Sequence, residues 1–456
     1  MSSRRAGPNR GLGDVFENTT ARPTTFLLLF AALLPVVAAF WILYRQALFA
    51  PFQDDYGTIV AFATRYDRLP TFTSKVLDIA TAQTNEYKLG FEHSIVALAM
   101  ELTHHLNFAL FTTVGNLFLL PIGYLLWLTY QNRESDLNQR LLQFLPISFL
   151  FFSLTYWENL NWATTDLQNI PIILFSFGSL YLLLPRDRLE PSRVRLLLAC
   201  LAAMLAAFTS ANGFLLGPVG LVILLPRRAY FRALLWCASF ALPLAAYLYH
   251  YTRPVHPMTK SLYFTRPLFF LGFLGCGAIP FRWPAAVLGI VIAGILALAV
   301  RSRFDRTNPV AFYFVAWVGA TAALVAWVRG ASGFVIVARY SIYSILVLIF
   351  CYSFLAQYLR NRWPAFNRRR FNIVCLVFAV SICFLADVHA YKKLGERRRM
   401  VLAGIELYRA NPRVNSPMID TNLLRGFPQE QAYEQDALTD AIQEHIYTLP
   451  SKQATR

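Results

Sequence analysis

Long runs of apolar residues recur from Thr25 to Asp387, and no other feature limits the possible folds so strongly. A run of about 20 such residues crosses the hydrocarbon core of a bilayer as a helix. Inside lipid every backbone N–H and C=O must be satisfied within its own segment, which leaves helices as the building unit. Charge supports this reading. Only 15% of the 456 residues are charged and 56% are hydrophobic, whereas a soluble domain carries about 25% charged residues. The expected fold class is an all-α polytopic membrane protein.

The net charge of +17 does not mark a nucleic-acid face, because Lys and Arg fall as short punctuation between the apolar runs. Eleven spans are expected, at roughly 25–44, 108–130, 141–156, 168–185, 194–210, 212–226, 233–250, 284–300, 310–328, 340–358 and 371–388. Arg4, Arg5, Arg10 and Arg22 set the 1–24 tail in the cytoplasm. Alternate connections then hold the Arg clusters, while the turns near 157–167 and 210–212 have no Lys or Arg. This gives N-terminus in, C-terminus out. The glycine-rich run 212–226 is short and reads as half of a hairpin or as a re-entrant loop. Pro267–Pro280 is too short to span and is expected along the outer surface.

Three regions follow: the basic tail 1–24, a transmembrane domain 25–388, and an outer helical appendage 389–456. The first outer loop, 45–107, is too polar to be plain membrane and is expected to carry helices lying at the interface. The cluster Lys392, Lys393, Arg397, Arg398 and Arg399 in the appendage runs against the positive-inside rule. The six cysteines stand singly in apolar stretches and read as small buried hydrophobes.

On this topology the unusual polar residues collect on one face. Asp54-Asp55 follows the first span directly. Adjacent carboxylates repel and need solvent, a cation or hydrogen-bond donors. A plain helix start is the alternative, with one Asp as N-cap and the other in the first turn. Glu86, Glu158 and Asp166 add acids from the first two outer segments, and Arg253, His256, Lys260 and Arg339 add cations from later ones. Each has an ordinary reading too: a helix-start acid for Glu86, an interfacial turn for Glu158, a solvated loop for residues 253–260, a snorkelling span end for Arg339. Together they divide acids from cations as phosphate chemistry requires. Acids activate a hydroxyl or hold a divalent cation, and Arg, Lys and His take the charge of a leaving phosphate.

The order of these features resembles the C-type (GT-C) glycosyltransferase superfamily. Within that superfamily the chain resembles a set of bacterial polytopic members with motifs of the type Asp-Asp-aromatic, Asn-Glu-His-Arg, Asn-x-x-Trp-x-x-x-x-x-Gln and Ser-x-x-Asn-Gly. The counterparts are Asp54-Asp55-Tyr56, Asn85-Glu86-Tyr87-Lys88, Asn159-Leu160-Asn161-Trp162 with Gln168, and Thr209-Ser210-Ala211-Asn212-Gly213, followed by Arg339-Tyr340 at the head of a late span. Tyr87-Lys88 departs from the His-Arg form. Over residues 25–345 the resemblance implies transfer of a sugar from a polyprenyl-phosphate donor to a glycan, lipid or protein acceptor. The site would lie on the outer (periplasmic) face of the inner membrane. Asp54 or Asp55 would deprotonate the acceptor, Arg339 with Arg253, His256 and Lys260 would bind the phosphate, and Glu86, Glu158 and Asp166 would form an acidic shell. If a divalent cation (Mg or Mn) takes part, Asp55, Glu86 and Asp166 would hold it. The competing class is a transporter or flippase, which places ionisable residues within spans on broken helices.

Overall fold

A computed structural model describes residues 23–130, 136–184, 192–253, 265–330, 337–363, 365–410 and 428–450. The expected 1–24 tail lies almost wholly outside them, as do His256 and Lys260. The described chain is helical, with a single isolated bridge between Thr84 and Tyr87.

Among the described residues nine helical segments are long and apolar enough to cross a membrane: Pro23–Arg45, Phe108–Tyr130, Leu137–Leu160, Ala163–Leu183, Tyr230–Leu248, Arg282–Arg301, Pro309–Arg329, Ala338–Arg362 and Arg368–Ala410. The chain is a multi-pass membrane protein. Two expected spans fall short of that length. Arg193–Thr209 has 17 residues, and Ala211–Arg227 is broken into a tight 3-10 turn, a nine-residue helix and a second tight turn. Gly213 explains the sharp bend between them: a Cβ there would lie 2.2 Å from the Ala206 carbonyl oxygen.

Helix ends follow the sequence. Asn107, Asp136, Ser192 and Asn308 each accept a first-turn amide on the side chain, and Thr71 with Ser74 forms a capping box. Thr265–Gly275 corrects the surface reading of 267–280. It packs inside the bundle against Arg282–Arg301, and buried Phe269 and Phe273 face Tyr340. Small residues bring the two backbones together, for a Cβ on Gly275 would meet Ala285 O at 2.1 Å and one on Gly289 would meet Leu271 O at 1.9 Å. The cysteines are all free. Four are buried as expected, but Cys375 is half-buried and Cys237 is exposed.

Two apolar cores organise the molecule. The larger is the bundle interior. The second joins residues 48–66, 96–111 and 162–167 to Val401, Ile405, Tyr408 and residues 437–447. The first loop and the C-terminal segment are therefore one body on the same side of the bundle. In that loop a π-turn (Tyr56–Val60) leads into Ala61–Asp67, and Phe72–Thr81 and Gly90–Thr103 follow. Phe72, Val76 and Leu77 stay exposed on the second of these helices, the arrangement of a helix lying in a lipid surface.

Position 389, where the appendage is expected to begin, lies within a helix. Arg368–Ala410 is one uninterrupted 43-residue helix, about 65 Å long at 1.5 Å per residue and about twice the depth of a hydrocarbon core. Its first half exposes Val374, Val377, Phe378, Phe384 and Leu385, and its second half carries the basic cluster.

Candidate functional site

The helix termini that meet the first loop build a polar site. Its floor is the acidic pair. Gln53 adopts φ 49, a left-handed conformation uncommon outside glycine. The turn it makes lets the Asp54 carbonyl accept Gly57 N (3.0 Å), Thr58 N (2.9 Å) and Thr58 Oγ1 (3.0 Å). The π-turn follows directly, and such turns concentrate at functional sites.

The two carboxylates have different environments. Asp55 is buried, and its Oδ2 accepts Phe52 N (2.9 Å). Its Oδ1 accepts Thr164 N (2.9 Å) and Thr164 Oγ1 (2.8 Å). It caps no amide of its own helix and instead stitches the first loop to Ala163–Asn169. Burial pushes its pKa up to about 7 even against those donors. Asp54 is half-buried, and among the described residues its carboxylate makes no hydrogen bond or ion pair. Burial raises its pKa, Arg339 lowers it, Glu86 raises it and Arg329 lowers it. The unpaired acid thus faces two guanidiniums.

Arg329 ends its helix and donates to Glu86 Oε1 and Tyr87 Oη, both at 2.6 Å. Asn85, with φ 51, turns Glu86 toward it much as Gln53 turns Asp54. Arg339 is fixed through its backbone: its N–H donates to Glu158 Oε2 (3.1 Å), and its carbonyl accepts Asn159 Nδ2 (2.9 Å). Its guanidinium lies 5.6 Å from the Trp162 ring and 5.7 Å from the Tyr340 ring. Among the described residues it has no hydrogen-bond acceptor. A guanidinium held on aromatic faces presents its fork of donors to an incoming oxyanion.

The structure brings Asp54, Asp55, Glu86, Glu158 and Arg339 together. Arg253 is exposed at the edge of the described chain, and its neighbour Thr252 is tied to Gln83 by two hydrogen bonds. Lys88 turns away from the acids and donates to the carbonyls of Ala246 and Tyr249 at a helix C-terminus. Asp166 stands apart. It is fully buried in a membrane-spanning helix, where Oδ2 accepts Asn116 Nδ2 (2.9 Å) and Oδ1 has no partner. The proposed cation ligands Asp55, Glu86 and Asp166 have three separate sets of partners. Among the described residues no group of three His, Cys, Asp or Glu is arranged for a metal ion.

Two residues escaped the sequence reading. Arg397 leaves the tail cluster and enters the site, where it donates to Asn161 Oδ1 (2.6 Å) between the rings of Phe52 (4.5 Å) and Trp157 (4.8 Å). Its only signal was a basic cluster on the unexpected side. Glu92 is buried beneath the acidic turn, 3.3 Å from Thr164 Oγ1. Its signal was an acid inside the semi-apolar helix Gly90–Thr103, which also holds His93 and Glu101.

Searches against protein-family models, curated proteins and solved structures gave no match to this chain.

Proposed function

We propose that the protein transfers a sugar from a polyprenyl-phosphate donor to an acceptor hydroxyl, with Asp54 as general base and Arg339 as the phosphate-binding cation. The observation that carries this reading is the half-buried Asp54 carboxylate and the Arg339 guanidinium that acts on it, neither of which has a hydrogen-bond or ion-pair partner for its charged group among the described residues. Asp54 takes the hydroxyl proton as the acceptor oxygen attacks the anomeric carbon. The carbon–oxygen bond to phosphate breaks, and the phosphate leaves with the electron pair, stabilised by Arg339 and Arg329. Displacement in one step inverts the anomeric centre. A base with a raised pKa suits this task, since proton transfer is most effective with a pKa near the working pH. The half-buried Arg339 guanidinium, held on the Trp162 and Tyr340 rings, has its donors in place for the leaving charge. No step is assigned to a divalent cation.

In this reading the short pair Arg193–Thr209 and Ala211–Arg227 crosses as a hairpin and restores eleven spans. The site then lies on the outer face of the inner membrane, and the C-terminal segment lies outside with it. Shared packing of the first loop and the tail supports that arrangement.

The test is extraction of prenyl-phosphate-linked sugars from cells lacking the protein, complemented at matched membrane level with wild type or Asp54→Asn. Accumulation cleared by wild type alone is the expected result. Equal clearance by Asp54→Asn would remove the base from the mechanism. One observation favours transport instead: Asp166, an ionisable group buried within a span with one oxygen unpartnered. If Asp166→Asn abolishes function while Asp54→Asn leaves it intact, transport becomes the better account.

A further inference from the structure

We propose that Glu92 is held as a neutral carboxylic acid and that, through Thr164 and Thr58, it is the positioning residue of the turn that presents Asp54. Its protonation stands on hydrogen-bond geometry alone, whereas its positioning role rests on the transferase reading.

The four groups form one buried chain. Thr164 Oγ1 lies 2.8 Å from Asp55 Oδ1, 3.3 Å from Glu92 Oε1 and 2.5 Å from Thr58 Oγ1. Thr58 Oγ1 in turn lies 3.0 Å from the Asp54 carbonyl oxygen. Each hydroxyl carries one proton. With both acids ionised, two protons must serve every one of these contacts. The short Thr58–Thr164 contact takes one, and the closer Asp55 oxygen competes best for the other. Glu92 Oε1 would then face a lone pair, and Oε2, also buried, has no hydrogen-bond partner among the described residues. A buried charge so poorly satisfied is among the costliest arrangements in a protein. A proton on Glu92 resolves it: Glu92 donates to Thr164, Thr164 donates to Asp55, and the Thr58 hydroxyl closes the short contact to Thr164 while its oxygen stays beside the Asp54 carbonyl, which keeps its two backbone donors.

The charged surroundings agree. The carboxylates of Asp55 and Asp54 both push Glu92 toward its protonated form. On the helices packed against it, Arg65 pairs with Asp78 and Lys75 with Glu101, while Asp166 is bound to Asn116. The adjacent His93 stacks on Phe62 and turns Nδ1 toward Ile79 O. Burial, moderated by Thr58 and reinforced by Asp55, pushes Glu92 up to about 8.

The experiment compares wild type with Glu92→Gln by infrared difference spectroscopy on the purified full chain in lipid nanodiscs. At pH 7 the expected difference is a carboxylic-acid carbonyl band present only in wild type, which converts to carboxylate as the pH rises through about 8. A carboxylate signature at pH 7 would overturn the proposal. Clearance of lipid-linked sugar is then read for Glu92→Gln and Glu92→Ala at matched levels. Gln, a neutral donor of nearly the same shape, should retain wild-type clearance, and Ala should lose at least about tenfold. Equal loss in both variants, or none in Ala, would end the positioning role. If wild type itself clears no sugar, the transferase reading fails and the infrared result still decides Glu92.

Discussion

Asp54 and Asp55 are neighbours in sequence, yet the structure assigns them opposite responses to the same substitution. In Asp55→Asn one carboxylate oxygen becomes an NH2 group. Its two oxygens accept from Phe52 N on one side and Thr164 N with Thr164 Oγ1 on the other. Either orientation of the amide sets an NH2 against a buried backbone N–H. One unsatisfied buried group costs about 1–3 kcal/mol. Asp55→Ala strands all three donors and should cost on the order of 3–5 kcal/mol. Asp54→Asn breaks no hydrogen bond, so its stability should stay within about 0.5 kcal/mol of wild type. Loss of a general base should nevertheless cost about 10²–10⁴ in transfer rate. The assay pairs denaturant or thermal unfolding of purified variants with sugar transfer per folded molecule. The reasoning is refuted if Asp54→Asn unfolds as readily as Asp55→Asn, or if folded Asp54→Asn transfers at the wild-type rate.

Three more expectations concern other parts of the molecule. Because Asp55 and Glu92 have folded pKa values raised to about 7 and about 8, the folded state holds protons that the unfolded chain releases. Their stabilisation is complete below the unfolded carboxyl pKa values and is lost as pH rises toward 8, by about 1.4 kcal/mol per pH unit for each carboxyl still protonated; unfolding midpoints from pH 5 to 8 should fall, less steeply in Glu92→Gln, and a flat profile would contradict this. Arg339→Lys keeps the charge but not the planar stack on Trp162 and Tyr340, so transfer should drop at least about tenfold with unfolding unchanged; a fully active Lys variant would mean that only charge matters there. Gly289→Ala would drive a Cβ to 1.9 Å from Leu271 O, whereas Gly294 on the same helix has nothing within 4 Å; unfolding should show a loss of about 1–3 kcal/mol for the first and no loss for the second.

The membrane class and nine of the span positions were legible because apolar length and flanking Arg residues are local properties. The pair 194–210 and 212–226 was not, since Gly213 governs how closely two backbones approach and that depends on a neighbour's position. The surface placement of 267–280 failed for a related reason: shortness excludes a span but says nothing about Phe269 and Phe273 finding Tyr340. In the site, Asp54, Glu86 and Arg339 were readable as outliers in type and place. Which member of the acidic pair remains unpaired was not, because Thr164 reaches Asp55 from 109 residues away. Arg397 lies further still from its partner Asn161, 236 positions along the chain.

The long C-terminal helix also dictates the order in which the protein becomes whole. Arg397 closes over Asn161, and residues 437–447 fill the same core as residues 48–66. The first loop therefore reaches its side of the membrane early in synthesis and waits there with part of its apolar surface uncovered. Contacts so distant in sequence form slowly, and unburied apolar surface invites association in the meantime. A ribosome that stalls before the last span leaves a chain whose acidic turn is present but whose core is incomplete. The core around the acidic turn is filled only once residues 437–447 are in place.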